Sequence, residues 1–196
     1  EYREVHQKAA VLYRKQARFQ LITTGKISQK NLLFDNQHIK RLRKASRYFA
    51  YPFDPEILRQ KIEAECQACD ANQDYRLRIS LSKSGEIELS RQILEPFSPT
   101  FCKAKLCLQE ANLQQAFTYF KTTHRPHLSL GEQEKIYHNV TGELLETSIG
   151  NLVLKISGKL YTPPIRLGIF PGIYRQHLLE TGQVEEKVLT LADLAQ

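Results

Sequence analysis

Residues 75–82, YRLRISLS, alternate strictly between apolar and polar side chains, and this alternation limits the fold more than any other feature of the chain. The apolar set is Tyr75, Leu77, Ile79 and Leu81, with arginine and serine side chains between them. A period of two is typical of a β-strand with one buried face. The turn residues KSGE follow and then EIELSRQIL, so the sequence predicts a β-hairpin.

Two helices are predicted before this hairpin. The first covers residues 35–50, DNQHIKRLRKASRYFA, and Asp35 or Asn36 is the expected N-cap. The second covers residues 54–71, DPEILRQKIEAECQACDA, and begins with an aspartate cap followed by a proline, which the first turn of a helix tolerates. Helices and strands together indicate an α+β unit in the first half of the chain.

The segment EPFSPT, with two prolines in six residues, is the best candidate for a linker between two domains. The N-terminal domain is predicted over residues 18–97, after a helix over residues 1–17, and includes FQLITTG and KNLLF as strands joined by a loop over residues 25–30. The C-terminal domain is predicted over residues 98–196. It contains the strands FCKAKLCL, EKIYHNV, NLVLKIS and KLYTP, and a helix in IYRQHLLETG that Gly182 closes. The expected fold class is therefore α+β.

Composition excludes several classes of protein. With 41% hydrophobic residues the chain can bury a core, and no apolar run reaches the roughly 20 residues that a membrane span needs. The first residues, EYREVHQKAA, lack the basic and apolar regions of a secretory signal, so we expect a cytoplasmic protein with no membrane partner. The net charge of +7 favours anionic ligands such as a phosphate group, a carboxylated metabolite or nucleic acid.

Four cysteines occur as two pairs, Cys66 with Cys69 and Cys102 with Cys107. The first pair has the spacing of a zinc knuckle but lies in a predicted helix, and the second pair lies in a predicted strand. Zinc ligands of this kind normally lie on tight turns, and a cytoplasmic location disfavours disulfides. We therefore expect buried thiols and no metal site.

Three features of the second half carry groups suited to chemistry. Lys121, in FKTTHRPH, is either an ordinary charged side chain or a nucleophile. Glu143 and Glu146, in TGELLET, lie near a predicted turn, where acids are commonly solvated. GIFPGIYR forms a turn before a helix, and free N–H groups at such a helix start bind phosphate well, although many such turns are purely structural.

In their order, KTTHR, NVTGELLETSIGN and KLYTPPIRLGIFPGIYR resemble the C-terminal half of the class IV aminotransferase family, the fold-type IV pyridoxal phosphate enzymes. Upstream, HIKRL at residues 38–42 resembles the family's H-x-x-R-L motif, and the resemblance runs from about Phe19 to Leu194. It implies two small α/β domains with pyridoxal 5′-phosphate in the cleft between them. Members of the family are commonly dimers with the site near the subunit interface, so we expect a homodimer.

The resemblance assigns roles residue by residue. Lys121 is expected to form a Schiff base with the cofactor and to act as the catalytic base once the substrate amine displaces it. Glu146 is expected under the pyridine nitrogen and Arg41 at the phosphate. The other expected cofactor-binding residues are Ile173 and Tyr174, through their backbone N–H groups, and Arg125, Asn151 and Thr147.

Within the family, KTTHR is most similar to the K-T-T-x-R of aminodeoxychorismate lyases, which FQLITT and RLRKASRYFAYPFD also resemble. This implies a lyase of folate biosynthesis that converts 4-amino-4-deoxychorismate to 4-aminobenzoate and pyruvate. Residues 1–17 resemble the tail that joins such lyases to a chorismate-aminating synthase subunit, so we expect a fused or associated synthase. Candidates to bind the substrate carboxylates are Arg125, Arg166 and Lys155.

Several features depart from the lyase pattern. His127 stands where tyrosine is common, Tyr174 where threonine is common, and Thr23 where a strand motif has glutamate. The family usually continues beyond a segment like VLTLADLAQ, so we expect the C-terminal domain to be truncated. Two alternatives therefore stay open: a branched-chain or D-amino acid aminotransferase, and a non-catalytic relative that acts as a binding domain. Nucleic-acid binding through KRLRKASR is disfavoured, because that run lacks interleaved aromatic side chains.

Overall fold

A computed structural model describes most of the chain. The described residues are 18–95, 103–109, 115–125, 127–128 and 133–195. The predicted helix over residues 1–17, most of the EPFSPT linker and Cys102 lie outside them. Within those ranges no helix is long and apolar enough to cross a membrane, and no group of three or more His, Cys, Asp and Glu side chains is arranged to hold a metal ion.

The first half contains an antiparallel sheet with the strand order β2-β1-β3-β4. Its strands are β1 (Leu21–Ser28), β2 (Asn31–Leu32), β3 (Tyr75–Leu81) and β4 (Ile87–Ile93). The loop predicted over residues 25–30 is wrong, because Gly25 pairs with Leu77 of β3 and β1 continues past it. The chain reverses instead over Gln29 and Lys30, both of which have positive φ, as a tight two-residue hairpin turn requires.

Two helices cover one face of this sheet. They are α1 (Asp35–Phe49) and α2 (Pro55–Gln67). The apolar side of the period-two strand faces them, since Leu77, Ile79 and Leu81 are buried in one cluster with Leu42 of α1 and Leu58 of α2. The hairpin and the two helices are therefore confirmed as an α+β arrangement, and the polar side of β3 lies on the opposite face of the sheet.

Only one of the two predicted helix caps is correct. Asp54 is the N-cap of α2, and its carboxylate accepts a hydrogen bond from the amide of Glu56 at 2.8 Å. At α1 the N-cap residue is Phe34, which has a left-handed backbone and makes no side-chain capping bond. Asp35 already belongs to the first turn of α1, where a carboxylate is favourable because it faces the positive end of the helix dipole.

The described residues of the second half form two three-stranded sheets. The first has the order β5-β6-β7 and comprises β5 (Ala104–Leu108), β6 (Glu134–His138) and β7 (Leu144–Thr147). The second has the order β10-β9-β8 and comprises β8 (Leu154–Ile156), β9 (Lys159–Thr162) and β10 (Glu185–Glu186). The helices of this half are α3 (Gln115–Tyr119), α4 (Ile173–Glu180) and two 3₁₀ helices, Ile165–Leu167 and Leu191–Ala195. Small apolar clusters around Leu145 and Ile169, and around Leu144 and Leu189, form its core.

Backbone pairing joins the two halves next to Lys121. The amide of Ile22 donates to the carbonyl oxygen of Lys121 at 2.9 Å, and the amide of Thr123 donates to that of Gln20 at 3.0 Å. Thr122, between them, forms a β-bridge with the first residue of β1. This short segment therefore runs antiparallel beside β1 and fixes the backbone that carries the lysine.

Candidate active site

A cavity of about 630 Å³ lies between the first sheet and the second half of the chain. Residues of β1 and α1 line it together with residues that follow α3, that end β7 and that begin α4. Most of the predicted site residues meet here although they are distant in sequence. The lining includes Arg41, Lys121, Arg125, Glu146, Asn151, Ile173 and Tyr174, whereas Thr147 is not part of it.

Lys121 lines the cavity from the short segment that pairs with β1. Burial, followed by the positive charges of Arg41, Arg125, Arg76 and Arg78, lowers the pKa of its amine from 10.5 to about 8. Because both causes disfavour the ammonium form, a much larger share of this amine is neutral near pH 8 than for a solvated lysine. The neutral amine is the nucleophilic form, so a lysine in this position is better suited to act as a nucleophile than a solvated lysine is.

Arg41 extends from α1 to the loop before α4. Its Nη2 donates a hydrogen bond of 2.6 Å to the carbonyl oxygen of Pro171, and its Cζ lies 4.7 Å from the centre of the Phe170 ring. Burial lowers the pKa of the guanidinium to about 10, so Arg41 is still a cation at pH 7. A guanidinium has five N–H donors, so the bond to Pro171 leaves other donors of Arg41 for an anionic partner such as a phosphate group.

Glu146 is buried on β7 with only 2% of its surface exposed, so it is not the solvated acid that a turn would carry. Burial raises the pKa of its carboxyl to about 7, against the opposing effects of Arg125 and of the Phe170 amide, which donates to Oε1 at 3.3 Å. The nearby Glu143 is half-buried directly after a turn, where it forms a β-bridge with Thr190 and its Oε2 accepts from Asn139 Nδ2 at 2.6 Å. The cavity therefore holds one buried carboxyl suited to a cationic or N–H partner.

Asn151 and Thr147 shape the loops around the cavity. Asn151 Nδ2 donates to the carbonyl oxygen of Phe170 at 2.7 Å, and its Oδ1 lies so close to Gly172 that a Cβ atom there would overlap it. Thr147 Oγ1 accepts from the amide of Gly150 at 3.1 Å. Glycine is therefore needed at position 172 because a larger residue would overlap Asn151. The backbone itself does not require glycine, since any residue can adopt its φ of −64°.

The start of α4 lines the cavity with backbone donors. Ile173 and Tyr174 are its first residues, and N–H groups in the first turn have no acceptor within their own helix. Arg175, in the same turn, is buried, and its Nη2 donates to the carbonyl oxygen of Pro163 at 2.7 Å and to Glu186 at 2.6 Å. These bonds tie the helix start to β9 and β10, so the amides of Ile173 and Tyr174 are held in place for an anion.

The sequence alone assigns no role to His38, although it begins the HIKRL segment. His38 lines the cavity, and its Nδ1 lies 2.6 Å from Oγ1 of Thr23, a hydrogen-bond distance. Burial, followed by the charges of Arg41 and Lys121, lowers the pKa of the ring to about 4, so it is neutral at pH 7. Thr23 stands where the lyase strand motif has glutamate, and its hydroxyl still gives His38 a hydrogen-bonding partner.

Other positions named from the sequence lie elsewhere. Arg166 and Lys155, two candidates for the substrate carboxylates, are exposed and do not line the cavity. His127 does not line it either, and burial lowers the pKa of its ring to about 4. Phe170 does line the cavity, and the guanidinium carbons of Arg41 and Arg125 lie 4.7 and 5.9 Å from its ring centre. No signal in the sequence distinguishes this phenylalanine from a core aromatic.

One cavity is surrounded by the amine of Lys121, the buried carboxyl of Glu146 and the guanidinium of Arg41 beside a helix start. Enzymes that bind a phosphorylated aldehyde cofactor use groups of these kinds. The family model for class IV aminotransferases matches residues 20–196, and the chain belongs to this family. Class IV aminotransferases are pyridoxal phosphate enzymes, so the predicted family, fold class and cofactor are confirmed.

Solved structures of the same fold come from both branches that the sequence left open. A protein proposed to be an amino-acid aminotransferase from Mesorhizobium loti is 25% identical, with a TM-score of 0.77 over 90% of each chain. A protein proposed to be a 4-amino-4-deoxychorismate lyase from Haemophilus somnus is 22% identical, with a TM-score of 0.70 over 92% of this chain and 93% of that one. The PLP-bound form of a hypothetical aminotransferase from Mycobacterium tuberculosis is 18% identical, with a TM-score of 0.71 over 90% of this chain and 74% of that one. No curated protein matches the sequence.

The residues around the cavity fit pyridoxal phosphate. With the cofactor bound, Lys121 would offer an amine to its aldehyde, Glu146 would offer a carboxyl to its ring nitrogen, and Arg41 with the start of α4 would offer donors to its phosphate. Nε of Arg125 is buried and has no hydrogen-bond partner among the described residues, so it is a further donor without an acceptor beside the same cavity.

Proposed function

We propose that the protein is a pyridoxal phosphate-dependent lyase that converts 4-amino-4-deoxychorismate to 4-aminobenzoate and pyruvate. The observation that carries the proposal is the placement of Lys121, in the lyase-like KTTHR segment, within a cavity whose charged walls are mainly cationic. A substrate with two carboxylates suits such walls. The structural similarity to the Haemophilus somnus protein supports the same choice.

In this proposal Lys121 binds the cofactor and is the base of the reaction. When bound, pyridoxal phosphate withdraws electrons from the substrate carbon that carries the amine. Lys121 Nζ, which is more often neutral than a solvated lysine because of its lowered pKa, takes the proton from C4 of the substrate. The bond from C3 to the enolpyruvyl oxygen breaks with its electron pair on that oxygen, and the proton held on Lys121 balances the charge of the leaving group. The ring becomes aromatic, the leaving group ends as pyruvate, and no co-reactant is needed.

Other residues of the cavity hold the reacting groups in this proposal. Glu146 keeps a proton on the ring nitrogen of the cofactor, and Arg41 with the amides of Ile173 and Tyr174 binds its phosphate. Asn151 and Thr147 support these groups through the loop bonds that they form. Arg125, which lies near Glu146 and over Phe170, is available to a substrate carboxylate.

A second candidate is an aminotransferase for branched-chain or D-amino acids. It is favoured by the similarity to the Mesorhizobium loti protein and would use the same lysine, carboxyl and arginine. A non-catalytic relative is the third candidate. The homodimer, the fused or associated chorismate-aminating synthase subunit and the cytoplasmic location remain predictions.

One experiment separates the candidates. The purified protein, loaded with pyridoxal phosphate, is incubated either with aminodeoxychorismate or with 2-oxoglutarate and a panel of L- and D-amino acids. The lyase predicts equal amounts of 4-aminobenzoate and pyruvate, and the loss of both products in Lys121→Ala. Transamination that is faster than 4-aminobenzoate release would move the assignment to the aminotransferases. If neither reaction gives a product, the third candidate remains, a non-catalytic relative that acts as a binding domain.

A further inference from the structure

Phe34, the residue before α1, has a backbone conformation that is unfavourable for its side chain. Its φ of 60° and ψ of 36° lie in the left-handed region, which glycine and asparagine adopt far more readily than phenylalanine does. Among the non-glycine residues that the structure describes, it is the largest with a positive φ. Residues held in such conformations cluster at functional sites, where other contacts offset the backbone cost.

The hydrophobic core does not supply these contacts. Phe34 is half-buried and belongs to none of the three apolar clusters that the described residues form. Its ring instead meets two rings of α4, in the second half of the chain. The ring centre of Phe34 lies 4.9 Å from that of His177 and 6.3 Å from that of Tyr174, which are distances of aromatic pairs. Tyr174 and His177 share one face of α4, with their ring centres 6.0 Å apart.

Phe34 and Tyr174 stand at the rim of the cavity that contains Lys121. Both of them line it, and 63% of the surface of Tyr174 is exposed, so its ring lies where the cavity meets solvent. The amide of Tyr174 also belongs to the first turn of α4, whose N–H groups have no acceptor within the helix. The two rings therefore join the halves of the chain directly beside the backbone donors that the site offers to an anion.

A purely structural contact does not require phenylalanine at this position. Arg41 already ties α1 to the loop before α4, and glycine or asparagine at position 34 would make the same turn at a lower backbone cost. A role at the cavity does require a large apolar side chain. Rings at the rim exclude water, and the hydrogen bonds and charge interactions of a site are stronger where water is excluded.

We propose that the rings of Phe34 and Tyr174 form an aromatic bridge across the rim of the cavity, and that this bridge slows the release of pyridoxal phosphate. The bridge acts because the two rings must separate before the cofactor leaves, so their contact adds to the barrier for release. The inference depends on the cofactor and not on the reaction, and it applies to a lyase and to an aminotransferase alike.

The test measures how fast pyridoxamine 5′-phosphate leaves the protein. This amine form of the cofactor has no aldehyde, so it does not react with Lys121, and its release depends on non-covalent contacts alone. Stopped-flow fluorescence follows the release after rapid dilution of the loaded wild type, Phe34→Gly, Tyr174→Ala, the double variant and Tyr48→Ala. Tyr48 of α1 is 61% exposed and does not line the cavity, so its variant is the matched control for an exposed tyrosine.

The two test positions suit this experiment because neither change removes a core side chain. Glycine adopts the backbone of position 34 without strain, so Phe34→Gly removes the ring and keeps the turn before α1. Tyr174 is exposed, and its backbone amide is still present in Tyr174→Ala. The two variants thus remove the bridge from opposite sides of the cavity.

We expect Phe34→Gly and Tyr174→Ala each to speed release by about two- to tenfold, the range that loss of one aromatic pair gives, and Tyr48→Ala to match the wild type. The double variant should release the probe no faster than the faster single variant, since either change removes the whole bridge. Wild-type release in both single variants, or equally fast release in Tyr48→Ala, overturns the inference. Effects that multiply in the double variant overturn it too, because the two rings would then act independently.

The inference and the lyase assignment fail separately, because the release of the probe is measured without substrate. If the single variants release pyridoxamine 5′-phosphate faster but no preparation forms 4-aminobenzoate, the aromatic bridge stands and the lyase assignment does not. If the wild type forms 4-aminobenzoate and the variants release the probe at the wild-type rate, the lyase assignment stands and the aromatic bridge is refuted.

Discussion

Arg41 Nη2 donates a hydrogen bond of 2.6 Å to the carbonyl oxygen of Pro171, and this bond joins α1 of the first half to the loop that begins α4 in the second. The same guanidinium packs against the ring of Phe170. Because Ile173 and Tyr174 begin the helix two residues later, one contact places a cation beside a set of free amides. The two halves thus bring a guanidinium and a helix start together at one cavity.

Arg41→Lys should weaken binding of pyridoxal phosphate by about 10- to 100-fold, because lysine keeps the charge but cannot bind Pro171 and a phosphate through one planar fork. The affinity is measured by fluorescence titration of the cofactor-free protein. Arg43→Lys, on an exposed position of the same helix, should bind as the wild type does. Equal affinity in both variants would remove Arg41 from the phosphate site.

Glu146→Gln should change how the stability of the cofactor-free protein depends on pH. The folded carboxyl has a pKa raised to about 7 from 4.5, so between these values the folded protein keeps a proton that the unfolded chain has lost. Stability contributed by this group is full below pH 4.5 and is lost as the pH rises through 7, by on the order of 3 kcal/mol. The glutamine variant lacks this loss.

Urea unfolding at several pH values measures the effect of Glu146→Gln. The expected result is a free energy of unfolding that falls more steeply from pH 4.5 to 8 in the wild type than in the variant. The glutamine oxygen can still accept the bond from the Phe170 amide, so packing is preserved. Parallel curves for the two proteins would mean that the pKa of the Glu146 carboxyl is not raised in the folded protein.

Gly172→Ala should destabilise the protein by about 1–3 kcal/mol, because the added Cβ overlaps Asn151 Oδ1 and forces that side chain from its bond to Phe170. Asn151→Ala removes the overlapping atom, so the double variant should lose less than the sum of the two single variants. Chemical unfolding of the four proteins gives this double-mutant cycle. Additive losses would show that the glycine is not required to make room for Asn151.

The local patterns of the sequence predict much of the fold. The period-two strand at residues 75–82 and the capped helix that begins at Asp54 depend on neighbours in sequence, and both are present. Glycine usually marks a turn, so the sequence predicts a loop from Gly25, but pairing with the distant Leu77 keeps this residue in a strand. Strand pairing is a non-local property that a single strand does not encode.

The residues of the site also fall into two groups, those that the sequence indicates and those that only the folded structure brings together. Ordered motifs indicate Lys121, Arg41 and Glu146, which all line the cavity. The effect of the Arg78 charge on the pKa of Lys121 is not visible in the sequence, because the neighbourhood of Arg78 depends on the register of β3 against β1. The same limit applies to Phe170, whose contacts with two guanidinium groups depend on packing of the second half against α1.

The central claim is that Lys121 is the amine that binds the cofactor. The most direct test is borohydride reduction of the protein with pyridoxal phosphate, followed by mass spectrometry of its peptides. We predict one reduced cofactor on the peptide that contains Lys121, full labelling in Lys44→Ala, whose lysine is exposed on α1, and none at this site in Lys121→Ala. A cofactor attached to other lysines, with equal labelling of wild type and Lys121→Ala, would contradict the account.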